Sequence, residues 1–285
     1  MSIPYRVDIE DKVVAITGGA GVLCGCMAKG MAESGAKVAI LDLNLEMAEK
    51  VASEIKSAGN TAFAVKCNVL EKLSIEEAEE AIRKELGSVD ILINGAGGNH
   101  PKGTTSNEFL TQADLDNDIA DAVSFYDLEQ AGIQFVFNLN FIGTLLPTQV
   151  FTKNMVKKGG GCVINISSMN SFTPLTKIPA YSAAKAAITN FTQWLAVHFS
   201  KTGIRVNAIA PGFFLTAQNE KLLMNEDGNW TERAQKIIRN TPMEKFGSPE
   251  DLLGALFWLT SEKGAGFVTG TVIPVDGGFS AYSGV

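Results

Sequence analysis

The chain alternates between two kinds of hydrophobic pattern. Short, almost unbroken apolar runs rich in Val and Ile stand at 12–17 (KVVAIT), 37–42 (KVAILD), 61–67 (TAFAVKC), 89–94 (VDILIN), 161–168 (GCVINISS), 203–210 (GIRVNAIA) and 270–276 (GTVIPVD). Runs without polar alternation suit parallel strands covered on both faces. Between them lie helical patterns at 43–59, 71–87 and 181–203, which stop at Gly59, Gly87 and Gly203. Glycine is the usual helix terminator because it takes the left-handed turn at no steric cost. A further helix over 248–262 is expected to open with Ser248 as N-cap and Pro249 in its first turn.

Strands that alternate with helices predict an α/β chain with a Rossmann-type, doubly wound, seven-stranded, mostly parallel sheet, helices on both faces, in a single domain over 1–285. Right-handed crossovers then put ligands at the carboxyl ends of the strands. Two segments break the alternation: an insertion at about 99–133 and a substrate lid at about 213–240. Loops of that length inside a compact domain are usually functional or disordered.

Composition narrows the function. A net charge of −7 argues against a nucleic-acid partner, which needs clustered Lys and Arg. The four cysteines (Cys24, Cys26, Cys67, Cys162) stand in apolar surroundings and lack zinc-site spacing. They are expected to be buried free thiols in a reducing compartment. His100 and His198 are too far apart for a His-based metal site, so no metal is expected. The N-terminal MSIPYRVDIEDK lacks the apolar core of a secretory signal, and no apolar run is long enough to cross a bilayer. The expected location is the cytoplasm.

Candidate chemistry begins after the first strand, at Thr17-Gly18-Gly19-Ala20-Gly21-Val22-Leu23-Cys24-Gly25. A glycine turn that opens a helix offers free N–H groups and a positive dipole end to a pyrophosphate. The second strand ends at Asp42, where an acid can accept both adenosine-ribose hydroxyls and repel a 2′-phosphate. No Arg or Lys accompanies it in LDLNLE, so NAD is favoured over NADP. Further on, Tyr181 and Lys185 share one face at the head of a helix. An ammonium beside a phenol is expected to lower its pKa from about 10 and fit it for proton exchange with a hydroxyl or carbonyl. Ser168 stands at the end of the fifth strand, facing the predicted crevice.

Taken together, the glycine turn, Asp42, Ser168, Tyr181 and Lys185 resemble the short-chain dehydrogenase/reductase family, and the likeness runs through nearly the whole chain. NGAGG (94–98), NLNFIG with Asn140, PGFFLT (211–216) and TGTVIPVDGG (269–278) add to it. The resemblance implies an oxidoreductase. Tyr181 would be the acid–base, and Lys185 would lower its pKa and hold the nicotinamide ribose. Ser168 would bind the substrate oxygen, and Asn140 would anchor a relay water. It also implies cofactor contacts from Gly18, Gly21, Val22, Leu23, Asn68, Val69, Asn94, Ala96, Pro211, Gly212, Phe213 and Thr216.

Two departures stand out. The family's second and third glycines fall at Val22 and Cys24, whereas this chain places them at Gly21 and Gly25. Gly21 is expected to give the turn its positive-φ freedom one place early, and Gly25 to allow close helix–strand contact. In addition, Asn68 replaces the usual Asp before Val69, a neutral acceptor for the adenine amino group.

The segment after the fourth strand is longer than the family norm and brings His100 and Lys102; Lys177 and Asn170 lie near Ser168 and Tyr181. These four are the candidate substrate contacts, and a polar, partly cationic pocket fits an anionic, hydroxyl-rich substrate. NGAGGNHPKGTT, VIPVDGGFSAYSGV and the altered glycine turn resemble a narrower branch, the bacterial D-mannonate oxidoreductases or fructuronate reductases. That resemblance implies D-mannonate and D-fructuronate as the substrate pair. Alternatives are a gluconate 5-dehydrogenase-like or 3-oxoacyl-thioester reductase-like enzyme, or a non-catalytic NAD-binding regulatory protein. The family resemblance further implies a homotetramer.

Overall fold

The computed structural model describes residues 7, 9–115, 122–216 and 219–284. Positions 116–121 of the expected insertion and 217–218 of the expected lid lie outside the described residues, as do 1–6 of the N-terminal segment.

The first half unfolds as strand–helix pairs. They are β1 (Val13–Thr17), α1 (Val22–Glu33), β2 (Lys37–Asp42), α2 (Leu45–Ser57), β3 (Ala62–Lys66), α3 (Lys72–Glu85) and β4 (Ile91–Asn94). After β4 come the short helix α4 (Gln112–Leu115) and then α5 (Gln130–Phe137), which a π-turn at Asn138–Ile142 joins to α6 (Gly143–Lys157). The second half holds β5 (Gly161–Ile166), α7 (Pro179–His198), β6 (Ile204–Pro211), α8 (Glu220–Leu223), α9 (Glu232–Arg239), α10 (Asp251–Thr260), α11 (Glu262–Ala265) and β7 (Val272–Val275).

The strands form one sheet in the order β3-β2-β1-β4-β5-β6-β7. Every pair is parallel, so the sheet is wholly rather than mostly parallel. The strand order reverses between β1 and β4, which opens the crevice where such sheets bind ligands. Alternating residues feed two cores. Val14 and Ile16 of β1 join α1, α2 and α10 on one face. Val13 and Ala15 join α3, α6 and α7 on the other. Burying each Val, Leu or Ile in these layers contributes about 1.5–3 kcal/mol, which explains the unbroken apolar runs.

The predicted glycine stops hold: Gly59, Gly87 and Gly203 all have positive φ. The start of α10 differs from expectation. Ser248 does not cap it; the helix begins at Asp251, whose carboxylate accepts from the N–H and hydroxyl of Ser248. Pro249 and Glu250 form a tight turn ahead of it, with the Leu252 and Leu253 amides bonded three residues back. Within the expected insertion, α5 begins at Gln130.

Candidate active site

The glycine turn sits at the carboxyl end of β1. Gly18 has φ +63, and a β-carbon on it would stand 2.9 Å from the Cα of Ala96. Only glycine allows this approach of the β1 and β4 ends. Thr17 ties the same ends together by accepting from the Gly95 and Ala96 amides at 3.1 and 3.3 Å. Gly21 corrects the reading from sequence: it is the N-cap of α1 with φ −68, an extended conformation open to any residue. Gly25 is not a close-contact glycine either, since a β-carbon there would find its nearest neighbour at 3.5 Å.

The position before it takes that role. Cys24 is buried and packs onto Gly95, where a β-carbon would overlap its Sγ. The room for the Cys24 side chain is made by Gly95, just past β4. No side chain caps α1 and its first turn holds no acid. The amides of Val22 and Leu23 are thus left to an outside acceptor at the positive end of a 12-residue helix. This cradle fits a dinucleotide pyrophosphate.

Asp42 ends β2 beside the turn. Its Oδ2 accepts from the Ala20 amide at 3.2 Å and its Oδ1 from the Asn44 amide at 3.0 Å, which fix the carboxylate beside the glycine turn. Asn68 spends its side chain locally, accepting from Leu70 N–H and donating to Glu71. One lone pair of its carbonyl oxygen remains for an adenine amino group. Val69 is buried against Gly143. Asn94 is buried at the end of β4: its Nδ2 donates to Thr148 and Asn165, each at 2.9 Å, and its Oδ1 has no hydrogen-bond partner among the described residues. Ala96 stands beside Gly18.

Ser168 follows β5 and its Oγ accepts from the Asn170 amide at 3.2 Å. Tyr181 and Lys185 stand on the first turns of α7, with the Lys185 Nζ 5.6 Å from the Tyr181 ring centre. Lys185 is buried and donates to the Ile166 carbonyl at 2.8 Å. Burial pushes its ammonium down to about 8. Burial also raises the Tyr181 phenol above its ordinary value, and a hydrogen bond with Ser168 acts the other way. The expected lowering of Tyr181 by Lys185 is thus not met: the ammonium is turned toward Ile166, and desolvation dominates.

Asn140 occupies the π-turn, a device that recurs at functional sites. Its Nδ2 donates to the carbonyls of Gly98 and Val136, both at 2.7 Å, and its Oδ1 accepts from the Gly98 amide. The side chain clamps the start of the insertion to α5. A β-carbon on Gly97 would stand 3.1 Å from the Lys185 Nζ, so Gly97 makes room for the ammonium beside this clamp. Sequence reading did not single out Gly97.

Among the substrate candidates, His100 and Lys102 hold the insertion. His100 Nδ1 accepts from the Lys102 amide, and its ring packs on Phe135 with centres 4.9 Å apart. The Lys102 ammonium pairs with Glu129 at 2.9 Å, so its charge is spent within the fold. Lys177 differs: its φ is +71, its carbonyl accepts from the Thr105 amide, and it makes no ion pair among the described residues. Asn170 is buried with its Oδ1 lacking a hydrogen-bond partner. A buried amide oxygen without a partner is costly unless a ligand supplies one.

The far wall is built by Pro211, Gly212, Phe213 and Thr216. Pro211 ends β6, and Gly212 presses against Asp276, where a β-carbon would stand 2.6 Å from its Cα. Phe213 meets Phe279 edge-on at 5.3 Å. The Thr216 amide donates to Asn219 at the entry to α8. The Lys236 ammonium on α9 pairs with Glu108 of the insertion, joining the two segments. Among the described residues no three His, Cys, Asp or Glu side chains gather as metal ligands.

Comparison with known proteins bears on this geometry. The short chain dehydrogenase family profile matches residues 12–227. An uncharacterized oxidoreductase of Haemophilus influenzae is 58% identical over 285 residues, covering 100% of this chain and 99% of its own. The uncharacterized oxidoreductase UxuB of Bacillus subtilis is 53% identical over 283 residues, covering 99% of this chain and 100% of its own. A crystal structure of a proposed D-mannonate oxidoreductase from Haemophilus influenza, with NAD bound, superposes with a TM-score of 0.93 at 58% identity over 98% of each chain. A fold shared along the full chain carries Ser168, Tyr181 and Lys185: the protein belongs to the short chain dehydrogenase family and is an oxidoreductase of alcohol and ketone groups.

Proposed function

We propose that the protein is an NAD-dependent sugar-acid dehydrogenase that interconverts D-mannonate and D-fructuronate. The observation that carries the reading is Lys177, a cation without an ion pair among the described residues, held in a left-handed conformation four positions before Tyr181. Such backbone strain persists where the surrounding structure enforces it and clusters at ligand sites. The buried Asn170 oxygen next to Ser168 adds an acceptor for a substrate hydroxyl. The likeness to a NAD-bound protein described as a proposed D-mannonate oxidoreductase supports both the cofactor and the substrate class.

NAD, when bound, supplies the two-electron acceptor for the carbinol carbon. The protein's part is orientation and proton transfer. Ser168 holds the reacting oxygen against Tyr181. In oxidation Tyr181 takes the hydroxyl proton; in reduction it returns that proton to the forming alkoxide. Burial keeps the phenol protonated at neutral pH, so the resting site is set to donate. Lys185 holds the nicotinamide ribose, and the Asn140 clamp fixes the floor of the insertion beside it. Lys177 binds the carboxylate through a charge-assisted hydrogen bond.

The working form is a cytoplasmic homotetramer. All four cysteines are free and buried, in keeping with a reducing compartment. A groove of about 380 Å³ between α6 and α7 is lined by Leu145, Phe191, Trp194 and His198, and β7 leaves a free sheet edge. Both surfaces suit contact with further copies.

The test follows NADH absorbance with purified protein and D-mannonate, D-fructuronate, gluconate and a 3-oxoacyl thioester. Turnover is expected with the mannonate–fructuronate pair. Turnover confined to gluconate or to the thioester would replace this reading with one of the other reductases, and none with any compound would favour a non-catalytic NAD-binding protein.

A further inference from the structure

One cation beside the cofactor cradle is invisible in the local sequence. Lys66 ends β3, and in the parallel register it stands directly beside Asp42 at the end of β2. Register partners on adjacent parallel strands project from the same face, about 4.8 Å apart. Asp42, Leu43, Asn44, Leu45 and Lys66 together line an open cavity of about 630 Å³. Asp42 is turned toward the glycine turn by its bonds from Ala20 and Asn44. Lys66 is exposed and makes no ion pair among the described residues, so its ammonium is not consumed by Asp42.

We propose that Lys66 is a second determinant of cofactor choice: a cation at the ribose end of the cavity that is suited to a 2′-phosphate and is overruled by Asp42. The cavity wall carries one anion and one cation rather than a lone acid. The anion is fixed at the ribose position by two backbone donors, so it repels a phosphate there. The cation rides on a flexible four-carbon stem and is free to reach the same position. Discrimination against NADP is then a balance of two opposed charges, and removing the acid leaves a site with a phosphate-binding group already in place. This inference rests on the NAD reading.

The experiment measures Kd for NADH and NADPH by fluorescence titration with the wild type, Asp42→Ser, Lys66→Met and the double variant, at low and high salt. Wild-type protein is expected to bind NADH more tightly. Asp42→Ser is expected to tighten NADPH at least tenfold, and adding Lys66→Met is expected to remove most of that gain. The salt dependence of NADPH binding in Asp42→Ser is expected to flatten when Lys66 is lost. NADH affinity that agrees between Asp42→Ser and the double variant shows that the cavity stays folded. Equal NADPH affinity in those two variants would overturn the role of Lys66 and leave the NAD reading standing. Failure of the wild type to bind NADH would overturn that reading itself.

Discussion

The Sγ of Cys24 on α1 occupies the space that a side chain on Gly95, just past β4, would need. The two positions cannot both carry bulk, and this exclusion explains how a glycine turn with a cysteine in a glycine slot still closes. A β-carbon on Gly95 would also come within 2.8 Å of the Thr17 carbonyl. Gly95→Ala should therefore destabilise the protein by about 1–3 kcal/mol, the usual cost of overpacking, and weaken NADH binding. Cys24→Ala alone should be milder. The double variant should recover about half of the Gly95→Ala loss in a denaturant-unfolding double-mutant cycle, whereas simple additivity would show that the residues do not interact.

Lys185 is buried, donates to the Ile166 carbonyl and makes no ion pair among the described residues. Burial lowers its pKa from 10.5 to about 8. The folded state therefore holds fewer protons than the unfolded chain between those values, and stability from this group rises with pH across that window. Below pH 8 the cost of the buried ammonium is fully present. Lys185→Met should abolish turnover yet raise the stability of the cofactor-free protein by about 1–2 kcal/mol at pH 7. Thermal unfolding at pH 7 and pH 9.5 should show that advantage shrinking at the higher pH.

The raised Tyr181 phenol predicts opposite pH behaviour for the two directions. Oxidation needs the phenolate, so kcat/KM for the sugar acid should climb as pH rises through the alkaline range. Reduction needs the phenol and should fall over the same range. Tyr181→Phe should cost at least about 100-fold in turnover, in the range of general acid–base catalysis, while NADH binding persists. Stopped-flow or steady-state rates across pH in both directions check this.

Lys177 has positive φ, so glycine is its natural replacement. Lys177→Gly should leave thermal stability near the wild-type value while raising KM for the sugar acid about tenfold or more, in line with the loss of one charge-assisted hydrogen bond. The KM for a neutral polyol analogue should change little. Equal effects on both would remove the carboxylate role.

Trp194 is exposed on α7 and stacks in a row with Phe191 and His198. Trp194→Glu should shift the protein to smaller species in analytical ultracentrifugation. An unchanged sedimentation profile would place the contact between copies elsewhere.

The sheet was legible because its strands are buried on both faces, a pattern written in consecutive residues such as VVAI and ILIN. The helix ends were legible because Gly59, Gly87 and Gly203 each need a positive φ that glycine alone takes freely. Ser168, Tyr181 and Lys185 stood out because strand end and helix head lie close in sequence. Contacts made between strands were not legible. Lys66 reaches Asp42 only through β2–β3 register, and Gly95 meets Cys24 only across the β1–β4 crossover. The contacts of His100 with Phe135 and of Lys102 with Glu129 were not legible either, because the partners stand far along the chain. Gly21 misled because its position in a glycine turn suggests strain that its φ of −68 does not carry.

The central claim is stereospecific reduction of D-fructuronate at a site run by Tyr181. Its most direct measurement is transfer of deuterium from labelled NADH, read by mass spectrometry of the product. The account predicts D-mannonate carrying one deuterium at the former carbonyl carbon with wild-type protein and almost none with Tyr181→Phe. Unlabelled product, or label entering equally with Tyr181→Phe, would contradict it.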